Sequence, residues 1–210
     1  MSYAYTDEDG IFLAGLARRT VDQYVTQKIK PEPPETGSER LKVNSGVFVT
    51  LNIITGDDLS LRGCIGRPYP NQPLIQATID SAIDAAAHDP RFRPVSPKEL
   101  DSIILEISVL TPPKKIEYVN PEDLLQLVKV GRDGLIAIRD MWRGLLLPQV
   151  PVEWKWDTKE FLEHTCNKAG LPKDAWRDKR TEFMSFQAEI FGEEQPRGNI
   201  VRDPQHPRLC

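Results

Sequence analysis

Between Ser102 and Leu110 the chain reads S-I-I-L-E-I-S-V-L, and this run does most to narrow the folds open to it. Successive side chains of a strand point to opposite faces. Ile103, Leu105, Ile107 and Val109 therefore line one face with no polar member, and that face is core. Glu106 and Ser108 point the other way. A second run rich in β-branched residues, Val47 to Ile54, reads as another strand. It is followed by the turn chemistry of Thr55-Gly56-Asp57-Asp58 and by the strand-like stretch Leu59 to Gly66, so strand, turn and stretch form an antiparallel hairpin. Pro68-Tyr69-Pro70 ends it, because proline cannot donate to the ladder.

Helical periodicity fills much of the remainder. Thr6 with Asp9 three residues on makes a capping box, Asp standing where Glu or Gln is usual. Leu13, Leu16, Ala17, Val21, Tyr24 and Val25 then recur at helical spacing, which predicts a helix from Asp7 to Gln27. Lys30 to Arg40 is proline-rich and charged, a surface loop that serves as plain connector or mobile flap. Pro73, placed in a first turn, opens a helix of small residues (Ala77, Thr78, Ser81, Ala82, Ala85, Ala86) able to pack close against a sheet. It ends near His88-Asp89-Pro90. Ser96, Pro97 and Glu99 begin a helical turn, and Asn120 and Pro121 cap a short helix through Leu127. Asp157 with Glu160 opens a helix that stops at Gly170. Leu135 to Ile138, Leu145 to Val150 and Thr181 to Phe191 read as strands. From Gly192 onward the chain is polar with few anchors, and 192–210 is expected to be a poorly ordered tail. Helices and hairpins mix without the strict alternation of a doubly wound fold, which favours α+β with mainly antiparallel sheet.

The 210 residues carry a net charge of -4. That balance argues against nucleic acid as an obligate partner, since phosphate binding is driven by clustered Lys and Arg. No apolar run approaches the roughly 20 residues of a membrane span. Met1 to Gly10 is polar and acidic with no secretory pattern, so the expected localisation is cytoplasmic. Cys64, Cys166 and Cys210 are widely spaced, with no C-x-x-C pair, which argues against a structural zinc site or a disulfide framework. No metal site is expected. A Gly-rich phosphate loop, a G-x-S-x-G elbow and an H-E-x-x-H motif are absent, which removes the commonest nucleotide, hydrolase and metalloprotease readings.

Candidate chemistry gathers around Cys64. In strict alternation Ser60, Arg62 and Cys64 share one face, with Leu59, Leu61 and Ile65 on the other. A nearby cation lowers a thiol pKa, and Arg62 and Arg67 are close in sequence. Side chains two apart on a strand are roughly 6–7 Å apart, where an exposed charge contributes less than about 1 kcal/mol. Activation therefore requires semi-burial, and Cys64 is either a functional thiol or a packed core cysteine. Gly63 and Gly66 around it mark a bulge or a close approach by a backbone or ligand. His88, at a helix end, is a base for Cys64, an anion contact with Arg91 and Arg93, or a capping histidine on a solvated loop. Glu153 beside Trp154 and Trp156 suits a ligand wall or an ordinary half-buried corner. Cys166 lies on the apolar side of its helix and reads as core.

LRGCIG, Leu61 to Gly66, resembles the signature hexapeptide of the AMMECR family. GVFVTL (Gly46 to Leu51), DPRF (Asp89 to Phe92), EISVL (Glu106 to Leu110), DGL (Asp133 to Leu135), GLLLPQV (Gly144 to Val150) with Glu153, Trp156 and Asp157 behind it, and Phe161 to Leu171 all fall in family order. The His88 position matches only some members. The resemblance implies a single AMMECR-type domain, residues 6–191, with two lobes, each a mainly antiparallel sheet flanked by helices. It also implies that Cys64 faces the space between them. It brings no settled activity and no known cofactor. Bacterial and archaeal relatives form the A component of the AmmeMemoRadiSam system beside a Memo-type protein and a radical SAM protein, which by association suggests a modification or redox pathway.

Whether the chain is an enzyme stays open at this point. In one reading it is a cysteine-dependent enzyme or redox component. Cys64 is then nucleophile or redox thiol, Arg62 stabilises a thiolate or an anionic group, and His88 or Glu153 handles protons. In the other it is a non-catalytic module that binds a partner protein, peptide or small anion through Arg62, Arg67, Arg91, Arg93 and Trp156.

Overall fold

Local signals dictate most of the elements. A computed structural model describes residues 4–56 and 58–204; Asp57 of the expected turn lies outside them. In chain order the elements are α1 (Asp7–Gln27), β1 (Val47–Thr55), β2 (Asp58–Arg67), α2 (Leu74–Ala87), β3 (Ile103–Leu110), β4 (Lys114–Lys115), α3 (Leu124–Leu127), β5 (Gly134–Arg139), β6 (Trp142–Leu146), α4 (Gln149–Glu153), α5 (Thr158–Lys168), β7 (Glu182–Phe186), β8 (Ala188–Glu193) and β9 (Ile200–Arg202). Reciprocal capping boxes at Thr6/Asp9 and Asp157/Glu160 start α1 and α5 where the sequence places them. Pro73 stands at the N-cap of α2, one residue before its first turn.

The chain forms two units, Met1–Leu110 with Glu189–Cys210, and Thr111–Ala188. The first holds a five-stranded sheet in the order β2-β1-β3-β8-β9, with the β1/β2, β1/β3 and β8/β9 pairs antiparallel. Ile103, Leu105, Ile107 and Val109 share a core with Val47, Val49 and Leu51 of β1, with Leu13, Ala14, Ala17 and Val21 of α1, and with Ala77, Ala82, Ala85 and Ala86 of α2. Both helices thus cover one face of this sheet. The second unit has the sheet β4-β7-β5-β6, antiparallel throughout, over a core that includes Leu135, Phe161, Leu162, Cys166, Trp176 and Phe183. The architecture is α+β, with two separate antiparallel sheets and helices beside each.

Four expectations need correction. Strict alternation fails inside β2: Thr50 faces Cys64 and Leu51 faces Gly63, but Asn52 faces Leu61, so Arg62 is an extra, bulged residue. Directly opposed residues share a face, which puts Leu61 on the Cys64 side and Gly63 on the helix side. The strand expected over Leu145 to Val150 stops at Leu146. Pro148 adopts helical angles, φ -58 and ψ -32, and leads into α4. The single strand expected over Thr181 to Phe191 is two: β7 belongs to the second unit's sheet, β8 to the first. Gln187 parts them, its N–H donating to Thr111 Oγ1 at 2.9 Å. Finally, residues 192–204 are not a loose tail. Buried Glu193 pairs with Arg18 and accepts from the Leu105 N–H at 3.0 Å, while Arg202 bonds Glu189 and Asp7. The anchors there are ion pairs and the β8/β9 ladder, with Ile200 against the core. Residues 205–210 lie outside the described residues.

Candidate functional site around Cys64

β2 is an edge strand, so alternate residues turn backbone N–H and C=O groups away from the sheet. At Cys64 these groups are taken by two side chains from the loop after α2. The Cys64 N–H donates to Asp89 Oδ2 at 2.9 Å, and Arg91 Nη2 donates to the Cys64 carbonyl at 3.2 Å. Arg91 also bonds Asp89 itself, Nε to Oδ1 at 3.0 Å and Nη2 to Oδ2 at 2.8 Å. The Asp89–Arg91 pair thus stands in for a missing neighbour strand. Hydrogen bonds from Arg91, then from the Cys64 N–H, hold the Asp89 carboxyl at about 2 although the group is buried.

Each glycine of the hexapeptide has a steric cause. A Cβ on Gly63 would lie 2.1 Å from the Ala85 carbonyl oxygen of α2, and one on Gly66 would lie 2.3 Å from the Phe48 ring. The bulge sends Arg62 to Glu99, Nε to Oε1 at 2.7 Å, at the turn Pro97–Ser102. Arg62, then the Ser96 N–H and hydroxyl, keep the Glu99 carboxyl at about 2. The guanidinium groups of Arg62 and Arg91 both lie against Phe92, 5.9 and 5.5 Å from its centroid.

The Cys64 side chain lies on the sheet face away from α1 and α2. There it meets Thr50, whose Oγ1 is 3.4 Å from Sγ, and the register aligns Cys64, Thr50 and Glu106 in one cross-strand row. All three are buried. Cys64 is disulfide-bonded, whereas Cys166 is free, buried in the second unit's core and pushed up to about 12 by burial. The sequence gives no spacing signal for a disulfide at Cys64.

The other expected site residues divide. Arg67 reaches α2, bonding Ser81 Oγ at 3.2 Å and Asp84 Oδ2 at 2.7 Å, and His88 Nδ1 bonds the same Asp84 at 2.8 Å. Arg67 faces Val47, on the helix side of the sheet, so this cluster and the Cys64 side chain use opposite faces. The His88 ring bonds Asp84 and meets Tyr24 edge-on. Arg93 is exposed. Glu153 and Trp156 belong to the second unit, where Trp156 stacks on His164. Asp89, Glu99 and Thr50 are the partners that sequence reasoning missed. Glu99 was visible as a capping residue, but nothing local shows that it also receives Arg62. Among the described residues, no group of three or more His, Cys, Asp or Glu side chains is placed to hold a metal ion, and no helix is long and apolar enough to cross a membrane.

Comparison with known proteins finds relatives over nearly the whole chain. Protein TK0174 of Thermococcus kodakarensis is 54% identical over 203 residues, 96% of this chain and 98% of that protein. Protein PH0010 of Pyrococcus horikoshii is 51% identical over 205 residues, 97% of this chain and 99% of its own. The crystal structure of that uncharacterized protein superposes with a TM-score of 0.79, covering 96% of this chain and 100% of the other. The AMMECR1 family model matches residues 14–191, and the chain belongs to the AMMECR1 family.

Proposed function

We propose that this AMMECR1-family protein is a cysteine-dependent redox component in which Cys64 is the working sulfur. The carrying observation is the way that sulfur is held: its backbone is pinned by Asp89 and Arg91, and Thr50 Oγ1 lies 3.4 Å from Sγ in a buried polar row. A buried cysteine kept for packing has no need of a hydroxyl partner or a clamped backbone. The disulfide at Cys64 favours a redox role over a resident nucleophile. Arg62 as thiolate stabiliser has less support, because its guanidinium is committed to Glu99. The chemistry balances with an external dithiol as reductant. Two electrons and two protons pass to the S–S bond, two thiols form, and the dithiol becomes a disulfide. A place beside Memo-type and radical SAM proteins suits such a component and is part of the same proposal.

The binding-module reading has less support. Arg62, Arg67 and Arg91 are each paired with a carboxylate, so an incoming anion would have to displace one. The test is alkylation of the folded protein across a series of dithiothreitol ratios, with sites read by mass spectrometry. Cys64 is expected to become reactive in one reversible two-electron step, without unfolding. If Cys64 alkylates fully before any reductant is added, or stays unreactive after complete reduction, the redox reading is wrong.

A further inference from the structure

The second unit carries an aromatic stack. Trp154 and Trp156 lie 6.1 Å apart at 21°, and Trp156 lies on His164 of α5 at 3.8 Å and 5°. Between the two indoles Lys155 is left-handed, with φ 56. That conformation costs a non-glycine residue roughly 1 kcal/mol, and here it lets two residues that are two apart in sequence stack. His164 closes one end of the stack, while Trp154 at the other end is 68% exposed. Val152, two residues earlier, is 54% exposed.

Glu153 immediately precedes the outer ring and is the last residue of α4. Desolvation raises its carboxyl, and nothing lowers it. Of the basic residues close in sequence, Lys159 pairs with Glu163, while Lys155 is exposed between the two indoles. An indole face is negative and a carboxylate is an acceptor, so the occupant that complements both is a planar cation with several N–H donors. Guanidinium meets that description and ammonium does not, because it cannot stack and presents a point charge.

We propose that Glu153 and the outer face of Trp154 form a docking point for an arginine side chain of a partner protein. The guanidinium lies flat on Trp154, extends the existing stack by one layer, and donates to Glu153. This surface is independent of the redox reading of Cys64.

Hexa-arginine and hexa-lysine peptides provide the probes, at a fixed salt concentration of physiological strength, with tryptophan fluorescence and indole N–H chemical shifts as readouts. The arginine peptide is expected to quench saturably and to bind at least about threefold more tightly than the lysine peptide. Glu153→Gln and Trp154→Ala, both at exposed positions, should each weaken it about threefold or more. Trp142→Ala, at an exposed tryptophan of β6, should leave it unchanged. Equal affinity for the two peptides, or full retention of binding by both Glu153→Gln and Trp154→Ala, would show mere attraction to an acidic protein and overturn the proposal. Absence of saturable quenching at millimolar peptide would overturn it as well.

Discussion

Replacing Asp89 by asparagine removes one charge and turns one of its two acceptor oxygens into a donor, and it tests how the Cys64 strand is held. The Asp89 side chain is 2% exposed and pairs with Arg91, which is 51% exposed. The folded carboxyl is held at about 2 against an ordinary 3.8, chiefly by Arg91. At about 1.36 kcal/mol for each pH unit of displacement, the ion pair and its hydrogen bonds contribute about 2.5 kcal/mol at most. Half-exposure of Arg91 screens the pair, so about 1.5–2 kcal/mol is the working figure. The folded pKa lies below the unfolded one. The stabilisation is therefore fully present above about pH 5 and fades as the pH falls through 4 towards 2. The introduced carboxamide still offers a carbonyl oxygen to the Cys64 N–H, but its NH2 cannot accept from Arg91, so the variant removes the charge together with one arm of the Arg91 pairing. Urea denaturation should show Asp89→Asn less stable than the parent by about 1.5–2 kcal/mol at pH 7, with the gap closing to about 0.5 kcal/mol or less near pH 2. Other carboxylates titrate in both proteins and cancel in the difference. A gap of the same size at both pH values would refute the electrostatic account and leave only shape, and no gap at pH 7 would refute the clamp itself.

Gly63→Ala should cost at least about 2 kcal/mol or abolish soluble expression, because the new Cβ meets the rigid Ala85 carbonyl at 2.1 Å. Gly37→Ala, with nothing within 4 Å, should stay within about 0.5 kcal/mol of the parent; equal effects in thermal melts would discredit the packing argument. Cys166, fully buried and pushed up to about 12, should alkylate only as the protein unfolds, with no rise in rate between pH 7 and 9. A native-state rate that climbs with hydroxide concentration would contradict its placement in the core.

What the sequence made legible follows the range of the interactions concerned. α1, α5 and β3 are set by caps and periodicity within a few residues, so their bounds could be read almost to the residue. The bulge at Arg62 could not, since it exists only relative to β1, where Leu51 and Asn52 face Gly63 and Leu61. The split of Thr181 to Phe191 escaped for the same reason: both halves are strand, and only their partners tell them apart. The order of residues 192–204 depends on Arg18, some 175 positions from Glu193. The site fared likewise. Cys64 stood out by residue type, but its clamp is a carboxylate on a backbone N–H, a contact that leaves no mark in composition or spacing.

The hexapeptide itself shows where structure ends and chemistry can begin. Gly63 makes room for the Ala85 carbonyl, Gly66 for the Phe48 ring, Ile65 packs against the helix-side core and Arg62 is bound to Glu99. Asp89 and Arg91 take the Cys64 backbone. Those parts of the hexapeptide are explained by packing and hydrogen bonding, with no reaction invoked. A charged side chain recruited for catalysis would ordinarily face the reacting group, and Arg62 is turned by a bulge towards a carboxylate instead. The sulfur of Cys64 is held by its disulfide and the Thr50 hydroxyl. It shares a buried row with a hydroxyl and a carboxylate, on the face that neither α1 nor α2 covers. In the redox proposal the chemistry belongs to sulfur, and the arginine serves the strand.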